Sequence, residues 1–211
     1  MKLKKLMDGF IANQQRCPKG IVGRIIGEQM VHQHQRETHW AISLLEIKAT
    51  DHVLEIGFGA GKAIEHIATL AVDGYVAGID LSPTMVEVAS RRNAQAVKAK
   101  RVGLQEGDVT SLPFTDQQFD KVLSIHTFYF WPSSARGIAE IFRVLKPGGM
   151  LVLTLSTGKI GEPEGTGLGR YQALLEEQVI PGMKSVGFTN AYIKQGPLAR
   201  QYKTVAVVGI K

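Results

Sequence analysis

Three glycines at alternate positions form the strongest local signal for chemistry in this sequence. Gly57, Gly59 and Gly61 follow Glu55 in the stretch EIGFGAG, between an apolar segment and a helical one. A turn without Cβ atoms lets the backbone approach a ligand closely, beside a helix N-terminus whose N–H groups are free. An adenosine-like or anionic ligand is expected here, and a purely structural tight turn is the alternative.

The spacing of these glycines differs from two common nucleotide motifs. Lys62 stands where the dinucleotide fingerprint needs its third glycine, and no Gly-Lys-Ser/Thr follows at P-loop spacing. The motif therefore excludes a P-loop and argues against a nicotinamide dinucleotide.

Two carboxylates follow at the ends of later strand-like segments. Asp80 ends YVAGID, nineteen residues beyond Gly61, where an acid can accept hydrogen bonds from both hydroxyls of a ribose. Asp108 follows the next such segment, where a carboxylate can accept from the exocyclic amine of adenine. A helix cap is the alternative for Asp80, but Ser82 and Pro83 already supply a cap and a first-turn proline.

Strand and helix patterns alternate after about Thr50, and this alternation must position those residues. Five apolar segments read as strands: HVLEIG, YVAGID, VGLQEGD, FDKVLSI and MLVLTLS. Their helical connections require parallel pairing, whereas AYIKQG and TVAVVGI are too close in sequence for a crossover helix and must form a hairpin. The prediction is an α/β, doubly wound, Rossmann-like sheet of seven strands, five parallel plus a C-terminal antiparallel hairpin, with the reversed strand at the edge.

The segment before the first strand is helical and basic. We predict an N-terminal helical cap over residues 1–48 and a main domain over 49–211, with a helix from about Val22 to Leu45. Residues 1–40 hold seven Lys/Arg against three Asp/Glu, so most of the net charge of +6 lies in the cap. The lysines around Leu3–Phe10 make a membrane surface conceivable as a partner, but a docked helix is favoured.

Composition indicates an ordinary globular protein. The 211 residues are 44% hydrophobic and 21% charged, which excludes disordered and collagen-like chains. Cys17 is the single cysteine, so no intramolecular disulfide or zinc–thiolate cluster is available. With no apolar run long enough to cross a bilayer, we expect a cytoplasmic protein.

Four segments in order resemble the class I S-adenosylmethionine-dependent methyltransferases, in particular the small ubiquinone- and menaquinone-biosynthesis-like (methyltransferase type 11) group. They are VLEIGFGAG, GIDLSPTMVEVA, GDVTSLPFTDQQFDKVLS and RVLKPGGMLVLT. The resemblance covers about Asp51–Leu155 and implies S-adenosylmethionine as cofactor, S-adenosylhomocysteine as product and a small-molecule substrate. It implies cofactor-binding roles for Glu55, Gly57, Phe58, Gly59, Gly61, Asp80, Leu81, Met85, Asp108, Val109, Ser124 and Ile125.

The stretch SIHTFYFWP after the fourth strand lies where the substrate and the methyl group meet in that family. It lacks the Asn/Asp-Pro-Pro-Tyr pattern of amino-directed nucleic-acid methyltransferases and the Asp-Asn pair of magnesium-dependent ones. By the same resemblance, His126 is the candidate base and Tyr129 a second candidate catalytic residue. Trp131, together with His39 and Trp40 from the cap, is predicted to line the substrate pocket.

The upstream histidines do not by themselves indicate a metal. His32 and His34 are two residues apart and point to different faces of a regular helix, so they cannot chelate one ion, and we predict no metal site.

The expected function is methyl transfer to a small, apolar or aromatic acceptor at oxygen, carbon or nitrogen, mainly by proximity and orientation. The alternatives are a phospholipid or nucleic-acid methyltransferase, an NAD-dependent oxidoreductase and a non-catalytic cofactor-binding module. Monomer and homodimer both stay open.

Overall fold

The computed structural model describes residues 13–162, 166–199 and 201–211, so the helix predicted around Leu3–Phe10 lies outside the described residues. The described helices are α1 (Gly20–Gln33), α2 (Gln35–Leu44), α3 (Lys62–Leu70), α4 (Pro83–Arg92), α5 (Ala94–Lys98), α6 (Ser134–Val144), α7 (Arg170–Leu174) and α8 (Ile180–Val186). The strands are β1 (His52–Ile56), β2 (Tyr75–Asp80), β3 (Val102–Glu106), β4 (Phe119–Ile125), β5 (Leu145–Lys159), β6 (Thr189–Gln195) and β7 (Tyr202–Ile210).

These strands form one sheet in the order β3-β2-β1-β4-β5-β7-β6. The first five pair in parallel, and β7 is antiparallel to both of its neighbours, which confirms the predicted doubly wound sheet with a C-terminal antiparallel hairpin. The predicted edge position of the reversed strand is wrong, because β7 lies between β5 and β6. Its run Thr204–Val208 is buried throughout, whereas β6 is largely exposed, so the more apolar strand takes the interior position.

The strand order creates a crevice beside β1. Strands β1, β2 and β3 follow one another toward one edge of the sheet, and β4 then lies on the other side of β1. In open α/β sheets, ligands bind at such a reversal, outside the carboxyl ends of the strands. The segments that follow β1, β2, β3 and β4 therefore meet at one rim.

Apolar residues fill both faces of the sheet. On one face, α6 and α8 pack with Leu54 and Phe119. On the other face, α2 and α3 pack with Val53 and with Met85 of α4. Because helices cover both faces, β1 is an almost continuous apolar run, which is typical of a parallel strand.

One helix prediction needs correction. The helix expected from about Val22 to Leu45 is two helices that are separated at His34, whose ψ of 17° departs from helical geometry. Near the C-terminus, α8 continues through Pro181 and Gly182. Pro181 is tolerated there because it stands in the first turn of α8, directly after a π turn at Leu175–Val179.

Helix α1 docks on α4 through small residues and ion pairs. A Cβ added at Gly27 would lie 2.8 Å from the sulfur of Met85, so the two helices are in close contact. Arg24 pairs with Glu87, and Arg92 pairs with Glu28, each at 2.6 Å. These contacts place the segment between α1 and α2 over the rim of the sheet.

Candidate active site

The glycine turn after β1 adopts the conformation that its sequence predicts. Gly57, Gly59 and Gly61 have φ values of 74°, 52° and 77°, in the left-handed region that side chains with a Cβ disfavour. A Cβ on Gly57 would lie 2.2 Å from the Cγ2 atom of Thr127, whereas a Cβ on Gly59 would meet no atom within 4 Å. The turn is thus closed against the protein at Gly57 and open toward the cleft at Gly59.

Asp80 fixes this turn and also the segment that leads into α4. One carboxylate oxygen accepts a hydrogen bond from the N–H of Gly59 at 2.8 Å, and the other accepts from the N–H of Ser82 at 2.9 Å. Burial raises the pKa of Asp80, while these two hydrogen bonds favour its charged form. Each oxygen has a second lone pair, so the carboxylate can still accept from a ligand.

Glu55 is the most perturbed acid at the rim. It is buried, and burial together with the charge of Asp80 raises its pKa to about 8, although the N–H of Ile64 donates to it. Its Oε2 atom has no hydrogen-bond partner among the described residues. A buried carboxyl oxygen without a hydrogen-bond partner is unfavourable, so this atom indicates where a polar group of a ligand would fit.

The end of β3 lies directly beside the end of β2. The N–H of Gly107 donates to the carbonyl of Asp80 at 3.0 Å, so Asp108 and Asp80 line the same cleft. The Oδ1 atom of Asp108 accepts from both the N–H and the hydroxyl of Thr110, each at 2.7 Å. Its Oδ2 atom accepts no hydrogen bond from the described residues, which leaves it available to a ligand.

The cleft collects most of the residues predicted for the site. Those that line it are Glu55, Gly57, Phe58, Gly59, Asp80, Leu81, Met85, Asp108, Val109, Ile125, His126, His39 and Trp131. The other four, Gly61, Ser124, Tyr129 and Trp40, are placed behind the lining.

Each of these four has a local structural contact. A Cβ on Gly61 would lie 2.5 Å from that of Ala89, and the indole of Trp40 packs against Gly196. The hydroxyl of Ser124 is paired with that of Thr127 at 2.5 Å. The hydroxyl of Tyr129 donates to the carbonyl of Ser156 at 3.0 Å.

The environment of Tyr129 makes it a poor base. Burial raises its pKa well above the usual range, so the hydroxyl keeps its proton at neutral pH. Its position behind the lining suits a residue that supports the wall.

A group of histidines forms the opposite wall of the cleft. His126 follows β4 with a positive φ of 55°, and its ring centroid lies 4.2 Å from that of His34. Glu37, which is buried in α2, places its Oε1 atom 3.3 Å from Nδ1 of His34 and 3.8 Å from Nε2 of His126. Burial lowers the pKa of His126, although Glu37 acts in the opposite direction, so the imidazole favours its neutral form.

Sequence reasoning missed two residues of this wall, Thr127 and His66, and a third residue, Glu37, that contacts it. Thr127 supports both Gly57 and Trp131, whose indole N–H donates to the Thr127 hydroxyl at 3.2 Å. His66 lines the cleft and pairs edge-on with His39. Glu37 is three residues after His34, and this helical spacing is the one signal that could have joined the two.

Comparisons with known proteins agree with this geometry. Residues 54–153 match a family described as a methyltransferase domain. The uncharacterised methyltransferase YdaC of Bacillus subtilis (strain 168) is 33% identical over 172 residues, which are 81% of this chain and 89% of YdaC. A demethylmenaquinone methyltransferase of Symbiobacterium thermophilum is 39% identical over 103 residues, 48% of this chain and 41% of that protein.

The fold has solved counterparts. A SAM-dependent methyltransferase from Aquifex aeolicus superimposes with a TM-score of 0.69, over 89% of this chain and 97% of that one, at 17% identity. Likeness at this level of identity concerns the fold.

The fold, the cleft and the similarity to known methyltransferases together define a class I S-adenosylmethionine-dependent methyltransferase. The chain belongs to the methyltransferase domain family that matches its residues 54–153. Membership confirms the predicted enzyme class and cofactor and removes the nicotinamide oxidoreductase alternative. The individual site residues stay predictions. Among the described residues, no helix is both long and apolar enough to cross a membrane.

Proposed function

We propose that the enzyme methylates a small, apolar or aromatic acceptor in the half of the cleft that faces the cap. The observation that carries this proposal is that one cleft joins the glycine turn and three carboxylates to a wall of aromatic and histidine side chains. Phe130, Trp131 and Val31 contribute apolar surface there. The relative named demethylmenaquinone methyltransferase supports a small-molecule acceptor.

The rim of the sheet suits S-adenosylmethionine, which supplies an electrophilic methyl group when bound. The unpartnered Oε2 of Glu55 is placed to accept from an ammonium group, and the open space at Gly59 admits close backbone contact. Asp80 keeps lone pairs for the ribose hydroxyls, and Asp108 keeps Oδ2 for the adenine amine. Leu81, Met85 and Val109 provide the apolar surface that a purine ring requires.

His126 is proposed as the base for an acceptor that still carries its proton. Burial lowers its pKa, so at neutral pH a ring nitrogen has a free lone pair. The Nε2 atom lies 3.8 Å from the carboxylate of Glu37, which would stabilise the imidazolium that forms when the ring takes up a proton. For a carbon nucleophile or a free amine, the residue would serve only as a wall.

Transfer of a labelled methyl group in fractionated cell extract tests the proposal. We expect the wild-type enzyme to label the small-molecule fraction, and not the nucleic-acid or phospholipid fractions. Asp80→Asn should bind S-adenosylhomocysteine about a hundredfold more weakly, because charge-assisted hydrogen bonds to two hydroxyls are lost.

Asp120→Asn is the matched control for that substitution. Asp120 accepts from the N–H of His52 and from Lys146 and does not line the cleft, so this variant should bind and transfer normally. Wild-type binding in Asp80→Asn would refute the ribose assignment, and label confined to nucleic acid or phospholipid would refute the acceptor class.

A further inference from the structure

Three potential metal ligands converge between the cap and the end of β4. The Oε1 atom of Glu37 lies 3.3 Å from Nδ1 of His34 and 3.8 Å from Nε2 of His126. One ligand atom from each residue lies within 4.8 Å of the others. Ligands about 2.1 Å from a tetrahedral ion are about 3.4 Å from each other, so small side-chain shifts would bring these atoms to coordinating distance.

The acid of this cluster has no Lys or Arg partner in the part of the chain that the structure describes. The side chain of Glu37 is only 2% exposed, and its Oε1 atom faces the rings of His34 and His126. No Lys or Arg among the described residues forms an ion pair with it. A buried acid that faces only imidazole rings is a position that a bound cation would stabilise.

The unpaired nitrogen of His126 is a second, independent observation. Its side chain is only 9% exposed, and Nε2, the atom nearest to Glu37, has no hydrogen-bond partner among the described residues. A buried, unpartnered ring nitrogen beside a carboxyl group is suited to bind a cation.

We propose that His34, Glu37 and His126 bind one divalent transition metal ion of the Zn²⁺ type. Two imidazoles and one carboxylate form a donor set that suits such ions. Since His34 and His126 line the cleft, the remaining coordination position would face the acceptor, as in catalytic sites with three protein ligands. The prediction of no metal considered His32 and His34 on one helix, whereas the other two ligands come from α2 and from the end of β4.

The role of the ion rests on the proposed function, but its binding does not. At its open position the ion would hold an oxygen or nitrogen donor of the acceptor beside the methyl group. With the ion bound, His126 is a ligand, and its role as a base belongs to the metal-free protein.

Calorimetric titration of the untagged full chain with Zn²⁺, after dialysis against a chelator, tests the site. We expect one ion per chain in the wild type and in His32→Ala, which removes an exposed histidine next to the site. His34→Ala and Glu37→Gln should each weaken Zn²⁺ binding tenfold or more, because loss of a direct ligand costs at least as much as loss of a supporting group. Absence of stoichiometric binding, or unchanged affinity in both variants, would overturn the proposal.

A second measurement separates loss of the site from loss of folding. Metal-free thermal unfolding should remain close to wild type in His34→Ala, whose side chain is 33% exposed. If the wild type binds S-adenosylhomocysteine but no Zn²⁺, only the metal site is refuted. If it binds Zn²⁺ but no S-adenosylhomocysteine, the proposed cofactor site is refuted and the metal site stands.

Discussion

The sheet rim and the helical cap build opposite walls of one cleft by different physical means. At the rim, formed by Glu55–Gly61, Asp80 and Asp108, backbone geometry dominates, because carboxylates are anchored on N–H groups and glycines have positive φ. The cap, formed by α1 and α2, contributes side chains that reach the cleft only after the helices dock. The proposed cofactor end is thus determined locally, and the proposed acceptor end by long-range packing.

Glycine serves different purposes in the two regions. Gly57 and Gly59 are needed at the rim for a backbone conformation that other residues disfavour. Gly27 in α1 has ordinary helical geometry and is needed for space, since its neighbour is the side chain of Met85. A substitution at the rim should therefore affect ligand binding, and one in the cap should affect docking.

The largest expected effect concerns the buried acid of the rim. In the folded protein, burial and the charge of Asp80 raise the pKa of Glu55 from 4.5 to about 8. Between these pH values the folded state keeps a proton that the unfolded state releases, so stability falls as pH rises. The wild type should lose unfolding free energy on the order of 4 kcal/mol between pH 5 and pH 8, as measured by urea unfolding, and Glu55→Gln should not show this loss.

Glu65→Gln provides the control for that experiment, since Glu65 is an exposed side chain on α3. Its unfolding should keep the wild-type dependence on pH. If the free energy of unfolding changed with pH in the same way in the wild type and in Glu55→Gln, the pKa of Glu55 would not be raised. The rim would then hold no destabilising buried acid, and this difference from the cap would be removed.

An intermediate effect is expected at Gly59. Gly59→Ala and Gly148→Ala both place a Cβ at positive φ in open space, so each should cost about 1 kcal/mol of stability. Only the Cβ at position 59 projects into the cleft, and it should weaken S-adenosylhomocysteine binding about tenfold by calorimetry, because it blocks close backbone approach. Equal affinities in the two variants would mean that the turn does not contact the cofactor.

The smallest effect is expected where the cap meets α4. Glu28→Gln removes the pair with Arg92, in which the glutamate side chain is 45% exposed. Such a pair contributes less than about 1 kcal/mol, so thermal unfolding should shift little, and the shift should shrink further at high salt. A loss well above that value would show that ion pairs, rather than apolar contacts, hold the cap.

Sequence patterns were most informative where neighbouring residues decide the structure. The glycine turn, Asp80 at the end of β2 and the Ser82-Pro83 start of α4 appear as predicted, because each depends on a few adjacent residues. The position of β7 inside the sheet was missed, since packing partners distant in sequence decide it.

Residue type alone does not decide position within the site. Tyr129 donates to the carbonyl of Ser156 and Trp40 packs against Gly196, and neither is among the residues that line the cleft. Only docking of α2 buries Glu37 against His126.

By itself, the amino-acid sequence determined the sheet class and the cofactor motif, because turn geometry and strand periodicity act over a few residues. The tertiary structure alone decided that His34, Glu37 and His126 meet, since helix docking brings them together across about ninety residues of chain. A local sequence pattern cannot specify such a long-range contact, because the contact depends on how complementary surfaces pack.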